Sequence, residues 1–160
     1  MLGERHIPRR YLLRMLAAAV LAALAASGTA RALPGGEPTV EDLKARLASA
    51  NAGDKPHLCV QIAQKQLAEA DKEYVAAEVE KGQPALADVV TYSELARDYA
   101  IQSHKSEKQT EIAIRTMTRK LTAMLHLASH DDEAPLRDAI QRLEVARDDL
   151  LKAMFPKGAK

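Results

Sequence analysis

The sequence predicts an all-α fold, an antiparallel helical hairpin or bundle of three to four long amphipathic helices. Three observations carry this expectation. Apolar residues recur at steps of three and four over long stretches, which lines them up on one helix face at 3.6 residues per turn. Ala, Leu, Glu, Lys, Arg and Gln dominate, and all favour helix. Gly and Pro, seven of each, fall at a few points and leave long uninterrupted runs between them. The 160 residues are 47% apolar and 28% charged, a balance that suits one globular domain with a tail.

Residues 1–32 read as a cleavable export signal. Arg5, Arg9, Arg10 and Arg14 form a basic start. The apolar run 15–26 that follows has twelve residues, too short to span a bilayer comfortably. Ala30-Arg31-Ala32 then places small residues at the −3 and −1 positions of a cleavage site, with Leu33 as the new N-terminus. Pro8-Arg9-Arg10-Tyr11-Leu12-Leu13-Arg14 resembles the twin-arginine export signal, with Pro8 where Ser or Thr is usual. The alternatives are an ordinary Sec leader and an uncleaved N-terminal anchor. The expected localisation is periplasmic or secreted.

Removing the leader changes the charge. Residues 1–32 hold five of the 23 basic residues and one of the 22 acidic ones, leaving 18 against 21, or −3. A clustered basic surface for nucleic acid or anionic lipid is not expected from this balance. With one cysteine, Cys59, the chain has no internal disulfide.

Residues 33–53 read as a linker and a short helix. Pro34, Gly35, Gly36 and Pro38 break regular structure. Thr39 is placed to cap a helix with Glu41 and Asp42 in its first turn. Val40, Leu43 and Leu47 make its thin apolar stripe, and Asn51-Ala52-Gly53 ends it.

Residues 54–156 form the helical domain, with 157–160 as a frayed tail. Asp54 and Pro56 open the first long helix. Its stripe is Val60, Ala63, Leu67, Ala70, Tyr74 and Ala77, half of it alanine, which suits close approach of two helix axes. Gly82-Gln83-Pro84 reads as a stop followed by a start, making a helical hairpin. In outline the hairpin 57–104 resembles a tetratricopeptide-type hairpin, with Tyr and Ala on the first helix and Ala-rich positions on the second. Its first helix is longer than that repeat's, and no second copy follows at a period of about 34 residues, so no functional residue carries over.

From 84 to 130 there is no Gly or Pro. This favours one continuous helix of about 47 residues, about 70 Å long. The alternative is a turn near 103–106, with Ser106 and Gln109 as a capping box and a four-helix bundle as the result. Asp131-Asp132-Glu133-Ala134-Pro135 starts the last helix. Its stripe is Leu136, Ala139, Leu143, Ala146, Leu150 and Met154.

Few residues could carry chemistry. His126 and His130 stand one helical turn apart in the sequence, a spacing that can chelate a transition metal. Asp131 or Glu133 could add an oxygen ligand. No Glu follows His126, so the pattern lacks the base of a zinc hydrolase. The competing reading is two exposed histidines, with His130 at a helix C-terminus. Met117 and Met124 read as core fillers, and a haem held by one Met and one His is the alternative. Cys59 lies near a helix start, where the dipole would lower its pKa. His57, two residues away, points to another face, so Cys59 reads as a small buried residue or as one half of an intermolecular disulfide. Glu111, Arg115, Arg119 and Lys120 read as a solvated face. No catalytic constellation stands out.

The expected function is therefore non-enzymatic: an exported helical protein that binds another envelope protein or itself. The alternative is a periplasmic metal- or haem-binding bundle.

Overall fold

The computed structural model describes residues 36–156. The leader, its cleavage point, the twin-arginine motif and the tail 157–160 lie outside them. All described helices belong to the unit Pro38–Lys160. Five α-helices and one turn of 3₁₀ helix make up this unit, with no strand among the described residues.

Helix α1 spans Val40–Ser49. Thr39 caps it in a complete capping box. The Thr39 hydroxyl accepts from the Asp42 N–H at 3.1 Å, and the Asp42 carboxylate accepts from the Thr39 N–H at 3.1 Å. The helix docks on the bundle through Leu43, fully buried against Leu58 and Ile62. Lys44 donates to Asp88 at 3.0 Å and lies 5.3 Å from the Tyr92 ring centre. Asp88 also accepts from Gln66 at 2.6 Å, so one carboxylate ties three helices.

Helix α2 spans Lys55–Val75 and buries four residues of the stripe expected of it, Val60, Ala63, Leu67 and Ala70; Tyr74 is half-buried, and Ala77 falls beyond the helix end and is exposed. Leu58, Cys59 and Ile62 are buried as well, because neighbours cover a second face. Asp54 stands at the N-cap position without a side-chain bond. Helix α3 spans Val79–Ser103.

The α2–α3 connection lies at 76–78, ahead of the stop expected at Gly82-Gln83, and is of a different kind. Helix α2 ends at Val75, and the chain reverses over 76–78. The Ala77 N–H donates to the Tyr74 carbonyl at 3.1 Å and the Glu78 N–H to the Glu73 carbonyl at 2.9 Å. These two bonds make a Schellman motif whose left-handed residue is Ala77, φ 59°, where Gly is usual. Gly82 lies inside α3 and is buried. A Cβ there would stand 3.0 Å from Tyr74 Cδ2 and 3.2 Å from Glu73 Cβ, so Gly82 serves close approach of the two helices, not a helix end. Pro84 is also interior, on the exposed side of α3. The N–H it lacks would have bonded to the Glu80 carbonyl, on a residue that is itself exposed.

The continuous helix over 84–130 is not what forms. Helix α3 stops at Ser103, and α4 spans Glu107–Leu127. Two residues of the turn adopt left-handed backbone, His104 at φ 51° and Ser106 at φ 62°. The Ser106 side chain makes no cap bond, so the turn is where the capping-box reading placed it but is not held by that box. Two left-handed residues cost roughly 2–4 kcal/mol. Folding back encloses Ile114, Met117, Leu121 and Met124 to 0–4% exposure in one cluster with Leu67, Leu86 and Val89. Burying four such side chains is worth roughly 6–12 kcal/mol, so the turn wins without Gly or Pro.

A single 3₁₀ turn, His130–Asp132, leads to α5, Glu133–Met154. The Ser129 hydroxyl donates to the Asp132 carboxylate. Leu136, Ala139, Leu143, Ala146 and Leu150 are buried as their spacing requires.

Cross-helix contacts define the topology. Tyr74 meets Gly82, Gln66 bonds Asp88, and Cys59 packs with Ala96, so α2 and α3 are antiparallel. Glu111 on α4 accepts from Arg147 on α5 at 2.7 Å. Arg142 pairs with Glu94 at 2.7 Å and Arg97 with Asp149 at 3.4 Å, so α3 and α5 run parallel. Val60 packs with Ala113 and Asp71 pairs with Lys120 at 2.8 Å, so α2 and α4 run parallel. The fold is two helical hairpins, α2–α3 and α4–α5, stacked with like helices side by side. The solvated face expected at Glu111 and Lys120 is instead a line of bridges: Glu111 is 6% exposed and reaches α5, and Lys120 reaches α2.

Two consequences are measurable by thermal or denaturant unfolding. Ala77→Gly and Ser106→Gly should each stabilise by about 1 kcal/mol, since Gly removes the Cβ cost of left-handed backbone. Ala70→Leu should destabilise by roughly 1–3 kcal/mol, because Ala70 is fully enclosed on the α2 seam.

Candidate functional site

The parallel pair α2 and α4 ends in an apolar groove. Both helices finish at the same end of the bundle, α2 at Val75 and α4 at Leu127. Between them lies a recess of about 270 Å³ lined by Asp71, Tyr74, Val75, Met124, Leu127 and Ala128. Met124 forms its floor as part of the core, 4% exposed. Val75 and Leu127 form its rims, 77% and 84% exposed. These are large apolar side chains set beside one another in water, whereas scattered exposed apolar residues are ordinary.

Polar groups flank the groove. The Tyr74 hydroxyl is buried and finds no hydrogen-bond partner among the described residues. Burial, and then the nearby Asp132 carboxylate, raise its pKa above the ordinary tyrosine value, so it stays a neutral donor. Asp71 on the lining is held by Lys120 at 2.8 Å. The groove can therefore take an apolar side chain.

The histidine pair does not form the helical chelate its spacing suggested. Helix α4 ends at Leu127, and Ala128 is extended, ψ 151°. His126 is exposed on the last turn of α4, whereas His130 begins the 3₁₀ turn, with a side chain 95% exposed. His130 Nδ1 lies 3.8 Å from Glu133 Oε1. Glu133 itself is engaged by Arg137 at 2.7 Å, and chiefly this hydrogen bond lowers its pKa below the ordinary value. No cluster of three or more His, Cys, Asp or Glu among the described residues is placed to hold a metal ion. Met117 and Met124 fill the core in the cluster with Ile114 and Leu121, while His126 faces outward.

Cys59 is free and fully buried, packed with Val60 and Ala96. Burial pushes its thiol up from 9.0 to about 11, although Lys55 pulls it the other way. The expectation of a dipole-lowered thiol is thus reversed: lost hydration outweighs the helix terminus. His57 is exposed and shares a contact with Gln61 Nε2 at 3.0 Å, away from the thiol.

Val75 and Leu127 were not legible as site residues. Each lies just off the apolar stripe of its helix, and the signal that could have found them is an apolar residue in the last turn on the wrong face. Among the described residues no helix is long and apolar enough to cross a membrane. Compared with known proteins, the chain matches no family model, no curated protein and no solved structure.

The thiol makes a testable statement. Between pH 9 and 11 the unfolded chain releases the Cys59 proton while the folded chain keeps it, so stability falls as pH rises through that window. The loss relative to Cys59→Ala should reach roughly 2–3 kcal/mol, read from denaturant unfolding of both proteins at pH 8 and pH 11. At pH 8 the folded thiol should not react with a thiol reagent that labels the unfolded chain.

Proposed function

We propose that this chain is an exported, non-enzymatic binding protein of the cell envelope, and that it docks a partner protein through the groove between the C-terminal ends of α2 and α4. The observation that carries this reading is the pair of exposed apolar rims, Val75 and Leu127, over the core residue Met124. Exposed apolar side chains of this size favour a partner that removes them from water, at roughly 1.5–3 kcal/mol for each one fully buried. The basic residues and apolar run at the N-terminus, with the Ala30-Arg31-Ala32 site, support the envelope as the compartment. The partner presents an apolar side chain, as one ridge of an amphipathic helix does. A second copy of this chain is the self-associating version of the same reading.

The experiment places a photo-crosslinking side chain at position 127 in the full-length protein in cells. A discrete adduct, either to one envelope protein or to a second copy, is the expected result. Val75→Asp should remove that adduct while leaving helical content and melting temperature near wild type, since Val75 is 77% exposed. A product spread over many proteins and insensitive to Val75→Asp would overturn the proposal. Leu127→Asp should likewise weaken association at least tenfold in a purified complex, measured by calorimetry or sedimentation.

A further inference from the structure

The apolar groove does not stand alone at its end of the bundle. Beside it opens a broad recess of about 510 Å³, lined by Ala77, Glu78, Val79, Glu80, Lys81 and Asp132. Val75 lines the groove and Ala77, two residues on, lines the recess, so the two surfaces come within about 7 Å of each other along the chain. Tyr74, on the groove wall, lies close to the Asp132 carboxylate.

The recess is acidic. Its lining carries three carboxylates, Glu78, Glu80 and Asp132, against one ammonium, Lys81. Lys81 is engaged by Glu78. Glu80 is exposed and makes no ion pair with any described residue. Asp132 accepts from the Ser129 hydroxyl but meets no cation, and Asp131 beside it is exposed and unpaired among the described residues. The neighbouring cations are already taken: Lys72 lies 3.2 Å from Glu69 and 3.3 Å from Glu73, Lys120 2.8 Å from Asp71, and Arg137 2.7 Å from Glu133. His126 and His130 are exposed at this end, and His130 faces Glu133. Glu80, Asp131 and Asp132 thus leave uncompensated negative charge beside the groove.

On an ordinary surface such charge is solvated and calls for no partner. Here it borders two exposed apolar rims, Val75 and Leu127, the pattern of an interface with an apolar centre and a polar edge. Among the described residues no three acids, histidines or cysteines gather closely enough to hold a metal ion, so the charge is spread along a face. A row of basic side chains matches that form. An anionic lipid surface does not, because carboxylates repel its headgroups.

We propose that the groove's partner is a basic amphipathic helix, whose apolar side chain enters between Val75 and Leu127 and whose Lys or Arg, one to two turns away, pairs with Glu80 and Asp132. This rests on the groove as the docking site and adds the charge of what docks there. One to two turns of helix advance about 5–11 Å, the scale of the step from groove to recess. The apolar contact supplies most of the affinity, while the carboxylates speed encounter and set the orientation of the bound helix.

The test uses the full-length protein and three synthetic helices of about 18 residues, or five turns. All share one ridge of Leu at steps of three and four. The flanking positions are Lys in the first, Gln in the second and Glu in the third, and binding is read from the fluorescence anisotropy of labelled peptide. The Lys peptide should bind saturably, about tenfold or more tighter than the Glu peptide, with the Gln peptide between them. Added salt should weaken the Lys peptide several-fold and leave the Gln peptide almost unchanged, since screening acts on the charges. Glu80→Gln with Asp132→Asn should bring the Lys peptide to the level of the Gln peptide at unchanged melting temperature. Glu144→Gln with Asp148→Asn makes the same charge change at exposed positions in the later half of α5 and should leave binding as in wild type. Leu127→Gln should weaken every peptide that binds. Equal binding of all three peptides, each weakened by Leu127→Gln, would overturn the basic partner and keep the groove. Lys-peptide binding that survives Leu127→Gln, or that falls as far with Glu144→Gln and Asp148→Asn, would be general charge attraction and would overturn the proposal. So would a dimer of the free protein in sedimentation that the Lys peptide does not dissociate, which assigns the groove to a second copy. Absence of saturable Lys-peptide binding overturns it as well, while the adduct at position 127 still reads the groove separately.

Discussion

The close approach of α2 and α3 is the constraint on which the rest of the structure depends. Ala63 and Ala70 on α2 cluster with Ala85 on α3, Ala96 packs with Cys59 and Val60, and Gly82 lies against Glu73 and Tyr74 at the hairpin end. Small side chains contribute little burial each, but they let two backbones come near enough that Leu67, Leu86 and Val89 interlock across the seam. A larger residue at Ala70 or Gly82 would lever the helices apart and open the platform on which both α1 and the second hairpin rest.

The second hairpin is held on that platform by apolar burial, with ion pairs setting its position. Ile114, Met117, Leu121 and Met124 complete a core that also includes Leu136, Leu143 and Leu150. Around its edge, Asp71 with Lys120, Glu94 with Arg142, and Glu111 with Arg147 each join two helices. Exposed pairs of this kind add little net stability. Their geometry is specific, however, and a slip of one turn would break all three. Glu111 differs from the others in being buried: its carboxylate relies on Arg147, and loss of that partner would leave a charge in the core.

Parallel stacking of α2 and α4 gives the bundle two unlike ends. At one end the N-termini of α2 and α4 meet the C-terminal turn of α1 at a polar cleft lined by Arg46, Asp54, His57 and Thr110. At the other, two C-termini leave Val75 and Leu127 standing over Met124, which makes an apolar groove. The chemistry of both surfaces thus follows from how the hairpins stack.

Local pattern was enough for much of the fold. The α5 stripe is buried from Leu136 to Leu150, with Met154 half-buried, Thr39 caps α1 as its place in the sequence implied, and the α2 stripe from Val60 to Ala70 faces the core. Such features are legible because periodicity and caps act within a few residues. Tertiary structure alone decided the turns at Ala77 and at 104–106, the inward place of Gly82, and the burial of Glu111. At each of those points the local signal is worth about 1 kcal/mol, a left-handed Ala or Ser without a glycine to mark it. The opposing gain is the closure of a core assembled from segments far apart in the chain, several times larger. The apolar groove was hidden for the same reason: Val75 and Leu127 are more than fifty residues apart in sequence, and only the parallel docking of α2 on α4 brings them together.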